Sequence, residues 1–297
     1  MWRGARTIPF WKLGSSLFDM AFDVSLGIYT GESPYNFDSA TGMAYEHLFC
    51  SWITGVDYRG HSIYDLCTAI HANQNRWPFL TLEPWKDSAI TSFGHNYLDD
   101  VRRGRYDHYL KKCLDQIRAY GGPILIRFMH EMNLTTYDWI GDHQNPGQWI
   151  DAYQRSITIM KSYLHGLKDK YFVWGPDGGP GSDLFYPGPG FCDFMGCATY
   201  SWSLYNSAYL SDGSFASILH DRTGRIGHFP KPLIVAECGV EAGDDQQSWW
   251  TAAKASFSDP AFGALWSVIY FNSHDSYTWT PGGPHANWSI PPSIFHL

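Results

Sequence analysis

Ile124-Leu125-Ile126-Arg127-Phe128-Met129-His130-Glu131 is a mostly apolar run that ends in a carboxylate. Such a run, without strict alternation, fits a strand covered on both faces, as in a parallel sheet flanked by helices. A carboxylate at the end of an apolar strand is costly unless something uses it. Leu233-Ile234-Val235-Ala236-Glu237 has the same form. Working outward from these two, similar apolar segments occupy residues 24–29, 48–53, 79–83, 171–174, 192–199 and 264–271. Helical patterns lie between many of them. One spans 97–120 and closes in Gly121-Gly122-Pro123, a second spans 146–167, and Asp244-Asp245 opens a third with acid at its N-terminus. Eight strands alternating with helices in 297 residues predict an α/β fold, a (β/α)8 TIM barrel. No linker divides the chain, so residues 1–297 are expected to form one catalytic domain, with 1–20 as an irregular N-terminal segment. The alternative, an open doubly wound sheet, would favour a glycine-rich turn after its first strand. Leu26-Gly27-Ile28-Tyr29-Thr30-Gly31 carries no such fingerprint.

Composition narrows the function. Charged residues make up only 17% of the chain, the net charge is −8, and no Lys/Arg-rich block occurs, which argues against nucleic acid as a partner. No apolar run approaches the length of a membrane span. The first twenty residues show no signal peptide, because Arg3, Arg6, Lys12 and Asp19 interrupt them. The 14 Trp, 19 Tyr and 18 Phe exceed what a core needs, and the surplus suits a groove in which flat sugar faces stack on aromatic rings. The six cysteines show no metal-ligand spacing and read as small buried residues, Cys192 and Cys197 included, which are expected not to pair.

In a barrel, catalytic groups sit at the C-terminal ends of strands. Glu131 ends the fourth predicted strand and Glu237 the seventh, so both face the mouth. Two carboxylates flanking one bond are the machinery of glycoside hydrolysis, and retaining enzymes hold them about 5–5.5 Å apart. No metal site is expected: His130-Glu131-Met132-Asn133 lacks the second histidine of a zinc protease, since position 134 is Leu134. No cofactor is needed, because the two glutamates suffice. Cys238 is not expected to act as a nucleophile, since strand alternation turns it away from whatever Glu237 faces.

The stretch from Pro123 to Asn133, with Tyr137 and Trp139 after it, resembles the acid/base strand of glycoside hydrolase family 26. Lys231 to Gly239 resembles that family's nucleophile strand. Tyr186-Pro187-Gly188, Asp193-Phe194-Met195-Gly196 and Thr199-Tyr200-Ser201 match its sixth-strand pattern. The resemblance implies a retaining endo-β-glycanase on an uncharged β-linked polysaccharide, acting outside the cell or in the periplasm and expected to be a monomer. It implies Glu131 as acid/base, Glu237 as nucleophile, His130 beside the acid/base or the sugar, and Tyr200 bonded to the nucleophile. Tyr137, Trp139, Trp85, Trp174, Trp266 and Trp279 are candidates for sugar contact.

Two departures bear on the substrate. After the His-Glu-Met-Asn motif, family members commonly carry Gly and then an aromatic two residues on, where this chain has Leu134 and Thr136. On the third strand, mannan-cleaving members tend to carry a Trp-His pair, whereas Thr81-Leu82-Glu83-Pro84-Trp85 looks more like the branch with mixed-linkage glucanases. The sequence therefore leans toward a mixed-linkage β-1,3-1,4-glucan, with endo-β-1,4-mannanase as the alternative. A non-catalytic polysaccharide-binding barrel in an exopolysaccharide system is the rival of another class. Glu83 adds a third carboxylate, which either binds a sugar hydroxyl or tunes Glu131 by repulsion.

Overall fold

The computed structural model describes residues 24–31, 42–74, 76–92, 94–202, 213–242, 245–278 and 285–291. Trp279, Asp244 and the N-terminal segment 1–20 lie outside them. Eight parallel strands close into a barrel in sequence order, β8 pairing with β1. They are β1 (Ser25–Tyr29), β2 (Tyr45–Ser51), β3 (Trp77–Glu83), β4 (Ile124–Phe128), β5 (Lys170–Trp174), β6 (Phe194–Ser201), β7 (Leu233–Val240) and β8 (Leu265–Phe271). The described helices between them are α1 (Ile63–Gln74), α2 (Tyr97–Arg102), α3 (Asp107–Tyr120), α4 (Pro146–Tyr163), α5 (Phe215–Ile226) and α6 (Gln246–Ser256). A hairpin of β9 (His274–Thr278) and β10 (His285–Asn287) follows β8. The expected (β/α)8 barrel is thus the fold.

Local chemistry sets the boundaries. The helix expected over 97–120 is two helices, because Gly104 at φ +82 breaks the chain between them. Asn96 caps α2, Ser214 caps α5 and Asp245 caps α6, each side chain accepting a backbone N–H of the first turn. The fourth strand stops at Phe128, three residues short of Glu131, since Met129 at φ +51 leaves the extended region. The seventh runs past Glu237 to Val240.

The barrel is filled from its N-terminal end. Tyr45, Phe79, Leu125, Val173, Phe194, Ile234, Ala236 and Ile269 form an apolar plug inside it. Two residues further along β2, β3 and β4 the interior turns polar: His47 Nε2 lies 2.7 Å from Thr81 Oγ1, and Arg127 is fully buried. A larger cluster packs the outer face of the sheet against the helices. All six cysteines are buried and free, Cys192 and Cys197 among them, and Cys238 packs in this outer cluster.

Two tryptophans expected at the groove are elsewhere. Trp266 lies near the barrel's N-terminal end, where its Nε1 donates to Tyr45 Oη at 3.1 Å beside the apolar plug. Trp174 is fully buried outside the sheet, against Tyr186 and Phe229 at 5.2 and 5.5 Å. Both are corrected to packing residues, because the side of the sheet they occupy, or the end of it, keeps them from the mouth.

Candidate active site

Glu237 faces the mouth because of a β-bulge. Ile234 and Ala236 point into the barrel plug, so simple alternation would turn Glu237 outward. The register of β7 slips against both neighbours here: Cys197 pairs with Val235 but Ala198 with Glu237, and the β8 pairing shifts between Val235 and Cys238. The extra residue re-aims the chain and brings Glu237 inward, while Cys238 returns to the outer face.

Glu131 reaches the same place from a turn. It sits three residues beyond β4 with φ +52, a left-handed conformation that is strained for a residue with a side chain. Surrounding bonds hold it there. Its N–H donates to Gly175 O at 2.8 Å and its own carbonyl accepts from Leu134 N at 3.0 Å. Trp139 Nε1 donates to His130 O at 2.6 Å, and Gly141 N to Met132 O at 2.8 Å. Asn133 and Asp177 bond reciprocally, Asn133 Nδ2 to Asp177 Oδ1 and Asp177 N to Asn133 Oδ1, which ties the β4 loop to the β5 loop.

The two glutamates meet at one guanidinium. Arg127 Nη1 bonds Glu237 Oε1, and Nη2 lies 3.8 Å from Glu131 Oε1. Gly175 is required beside it, because a Cβ there would fall 2.4 Å from Arg127 Nε. Tyr200 Oη donates to Glu237 Oε2 at 2.9 Å, and Tyr137 Oη to Glu131 Oε2 at 3.1 Å. Burial lifts the Glu131 carboxyl well above the usual carboxylate range; the charges of Glu237 and Asp177 raise it further, while Arg127 and the Tyr137 bond pull the other way. His130 is held neutral by burial and by the nearby Arg127 charge. Its Nδ1 has no partner among the described residues, and it makes no hydrogen bond to Glu131.

Arg127→Met is expected to lower stability by roughly 3–5 kcal/mol, since it leaves buried Glu237 without its cation. Urea melts of the variant beside wild type check this.

A cavity of about 1030 Å3 opens over these groups. Glu83, Trp85, His130, Glu131, Tyr137, Tyr200 and Glu237 all line it, so the structure gathers most of the residues singled out from sequence. Trp139 is instead fully buried beneath Tyr137, stacked at 4.6 Å and 9°, and is corrected from a sugar platform to its support. Tyr137 thus provides an aromatic face beside Glu131, where Thr136 had suggested a gap. Sequence reading passed over Tyr29, Phe49 and Phe271, which form the facing aromatic wall, with the rings of Tyr29 and Phe271 4.5 Å apart. It also passed over Asp177 and Arg222, 3.9 Å apart at the cleft. Tyr29 and Phe271 are strand-end residues, the same signal that identified Glu131. Among the described residues no group of His, Cys, Asp and Glu could hold a metal ion, and no helix is long and apolar enough to cross a membrane.

Carboxylates from the fourth and seventh strands, converging at the mouth of a closed parallel barrel, define a class: the glycoside-hydrolase barrels that work by two carboxylates. The sequence profile of glycosyl hydrolase family 26 matches residues 75–282, and the chain belongs to that family. Endoglucanase H of Acetivibrio thermocellus is 23% identical over 243 residues, covering 78% of this chain and 25% of that protein. Mannan endo-1,4-beta-mannosidase of Bacillus subtilis is 23% identical over 202 residues, covering 61% of this chain and 51% of that protein. The chain thus spans a quarter and about half of these curated relatives. Among solved structures, a Bacteroides ovatus β-mannanase of the family superposes with a TM-score of 0.64 at 13% identity, covering 92% of this chain and 86% of that one.

Proposed function

We propose that the chain is a retaining endo-β-glycanase, with Glu131 as acid/base and Glu237 as nucleophile. The observation that carries this reading is the convergence of both glutamates on Arg127 at the floor of one cleft. Glu131 starts protonated, because burial and neighbouring charge favour its neutral form. It gives its proton to the glycosidic oxygen as Glu237 attacks the anomeric carbon, so the C–O bond breaks and a glycosyl ester forms. Esterification removes the charge of Glu237, one of the causes that raise Glu131. Glu131, ionised by the first step and now relieved of that charge, takes a proton from water as the water attacks the anomeric carbon and releases Glu237. Tyr200 and Arg127 fix the orientation of Glu237 throughout.

The cleft selects neutral sugar. Asp57, Glu83, Asp177 and Glu237 line it with one arginine, Arg222, so a uronate would meet mostly like charge, while Trp85 and Tyr137 face Tyr29 and Phe271 as apolar walls. We favour β-1,4-mannan over the mixed-linkage glucan suggested by the third strand. The support is the mannan-cleaving relative and the mannanases among the similar structures, set against one relative named as an endoglucanase. A polymer too large to enter a cell requires action outside the cytoplasm.

Incubation with β-mannan, mixed-linkage β-glucan and xylan, read by chromatography and by NMR of the first-formed anomer, tests this. The expected result is oligosaccharide from mannan with β configuration retained. First-formed α product would overturn the double displacement. Binding without any product would favour a non-catalytic barrel.

A further inference from the structure

Glu83 ends β3 and lines the cleft. Among the described residues it forms no ion pair, although the charge of Arg127 reaches it and partly offsets the other effects. Glu131 and Glu237 share Arg127, Glu46 pairs with Arg76, and Asp177 lies near Arg222. The side chain of Glu83 accepts one hydrogen bond, from Trp85 Nε1 to Oε2 at 3.2 Å, and Oε1 has no partner among the described residues. Burial, reinforced by the charge of Glu237, lifts this carboxyl to about 7.

The turn that carries it is fixed before any ligand arrives. Trp52 N donates to Glu83 O at 3.0 Å, and Trp52 Nε1 to Trp85 O at 2.8 Å. Trp85 N donates to Glu83 O at 3.1 Å, and Tyr97 Oη bonds Pro84 O. Chain from the β2 loop and from α2 therefore locks Glu83-Pro84-Trp85. The Trp85 bond in turn pins the Glu83 carboxylate plane. A half-buried acceptor at the cleft, held rigid with one oxygen unfilled, is the form a ligand-binding group takes.

We propose that Glu83 is a substrate-binding residue whose free Oε1 accepts a hydroxyl hydrogen of the sugar seated over Glu237, so that a sugar lacking that hydroxyl is rejected. This rests on the glycanase reading. Its rival is that Glu83 acts only through charge on the catalytic pair, which would show as a displaced pH profile rather than as weaker binding.

Glu83→Gln keeps the shape and an acceptor for Trp85 but turns an amide NH2, a donor, toward the sugar and removes charge, and Glu83→Ala removes the group. Steady-state kinetics across pH on the polysaccharide the wild type cleaves, with calorimetry of product oligosaccharide binding, test the proposal. KM and the product Kd should rise together, roughly 10- to 100-fold for Glu83→Ala and less for Glu83→Gln, as for loss of a hydrogen bond to a charged group. The limbs of the kcat profile should stay in place, and thermal melting should show both variants folded. Unchanged KM and Kd in Glu83→Ala, or a loss confined to kcat with a shifted limb, overturns the proposal. A wild-type protein inert on every glycan overturns the glycanase reading itself, which is a distinct outcome.

Discussion

Glu237→Ala is expected to reduce turnover of polysaccharide on the order of 10⁴-fold or more, the scale seen when a covalent nucleophile is deleted. Glu237 alone is positioned by both Arg127 and Tyr200, and no other described carboxylate shares both donors. The barrel should still fold, because Arg127 keeps Glu131 and Gly175 O as neighbours. The variant leaves a space beneath the anomeric carbon. A small anion such as formate or azide, supplied in solution, should enter it and restore part of the rate by attacking from the same face as the missing carboxylate. The product of azide rescue would then be the α-glycosyl azide. Retention of near-normal turnover by Glu237→Ala, with folding verified by circular dichroism, would refute the assignment. Rescue giving β product instead would place the nucleophile elsewhere.

The barrel was legible in the sequence because parallel strands buried on both faces are written as apolar runs, and the runs ending at Glu131 and Glu237 lie on the fourth and seventh strands. What strand alternation could not supply was the aim of those glutamates. Glu237 depends on a bulge visible only as a slipped register between β6, β7 and β8. Glu131 depends on a left-handed backbone that nothing in His130-Glu131-Met132 announces. The tryptophans were misread for a related reason. Trp174 and Trp266 lie within strands and Trp85 and Trp139 in loops, and only the tertiary arrangement separates the cleft from the outer layer and the barrel plug. Arg127, the one charged residue inside the apolar run that ends at Glu131, is the cation both glutamates share.

Glu131→Ala is expected to cost about 10²- to 10⁴-fold on polysaccharide, the range for a lost general acid. The loss should depend on the leaving group. A sugar alkoxide needs the proton, whereas a dinitrophenolate leaves without it, so an activated aryl glycoside should form the glycosyl ester at close to the wild-type rate. Water then lacks its base, the ester accumulates, and a burst of phenolate should precede a slow steady state. Azide needs no base and should restore turnover with a β-glycosyl azide product, the opposite anomer from rescue at Glu237. The pH profile carries a second signature. Glu131 must be protonated for the first step, and its folded pKa is raised, so activity should persist above the ordinary carboxylate range and fall as pH rises through the raised value. That limb should vanish in Glu131→Ala. It should move to lower pH in Asp177→Asn, which removes one of the charges that raise Glu131. Stability follows the same sign: the neutral form is favoured in the fold, so this group's contribution is full below its unfolded pKa and is lost as pH rises through the folded one. Glu131→Gln should therefore gain stability relative to wild type at pH 9 and little at pH 4, measured by urea unfolding. The residue that drives the chemistry is thus held at the expense of stability at alkaline pH, and a Glu131→Gln variant no more stable than wild type there would contradict the raised pKa on which its acid role depends.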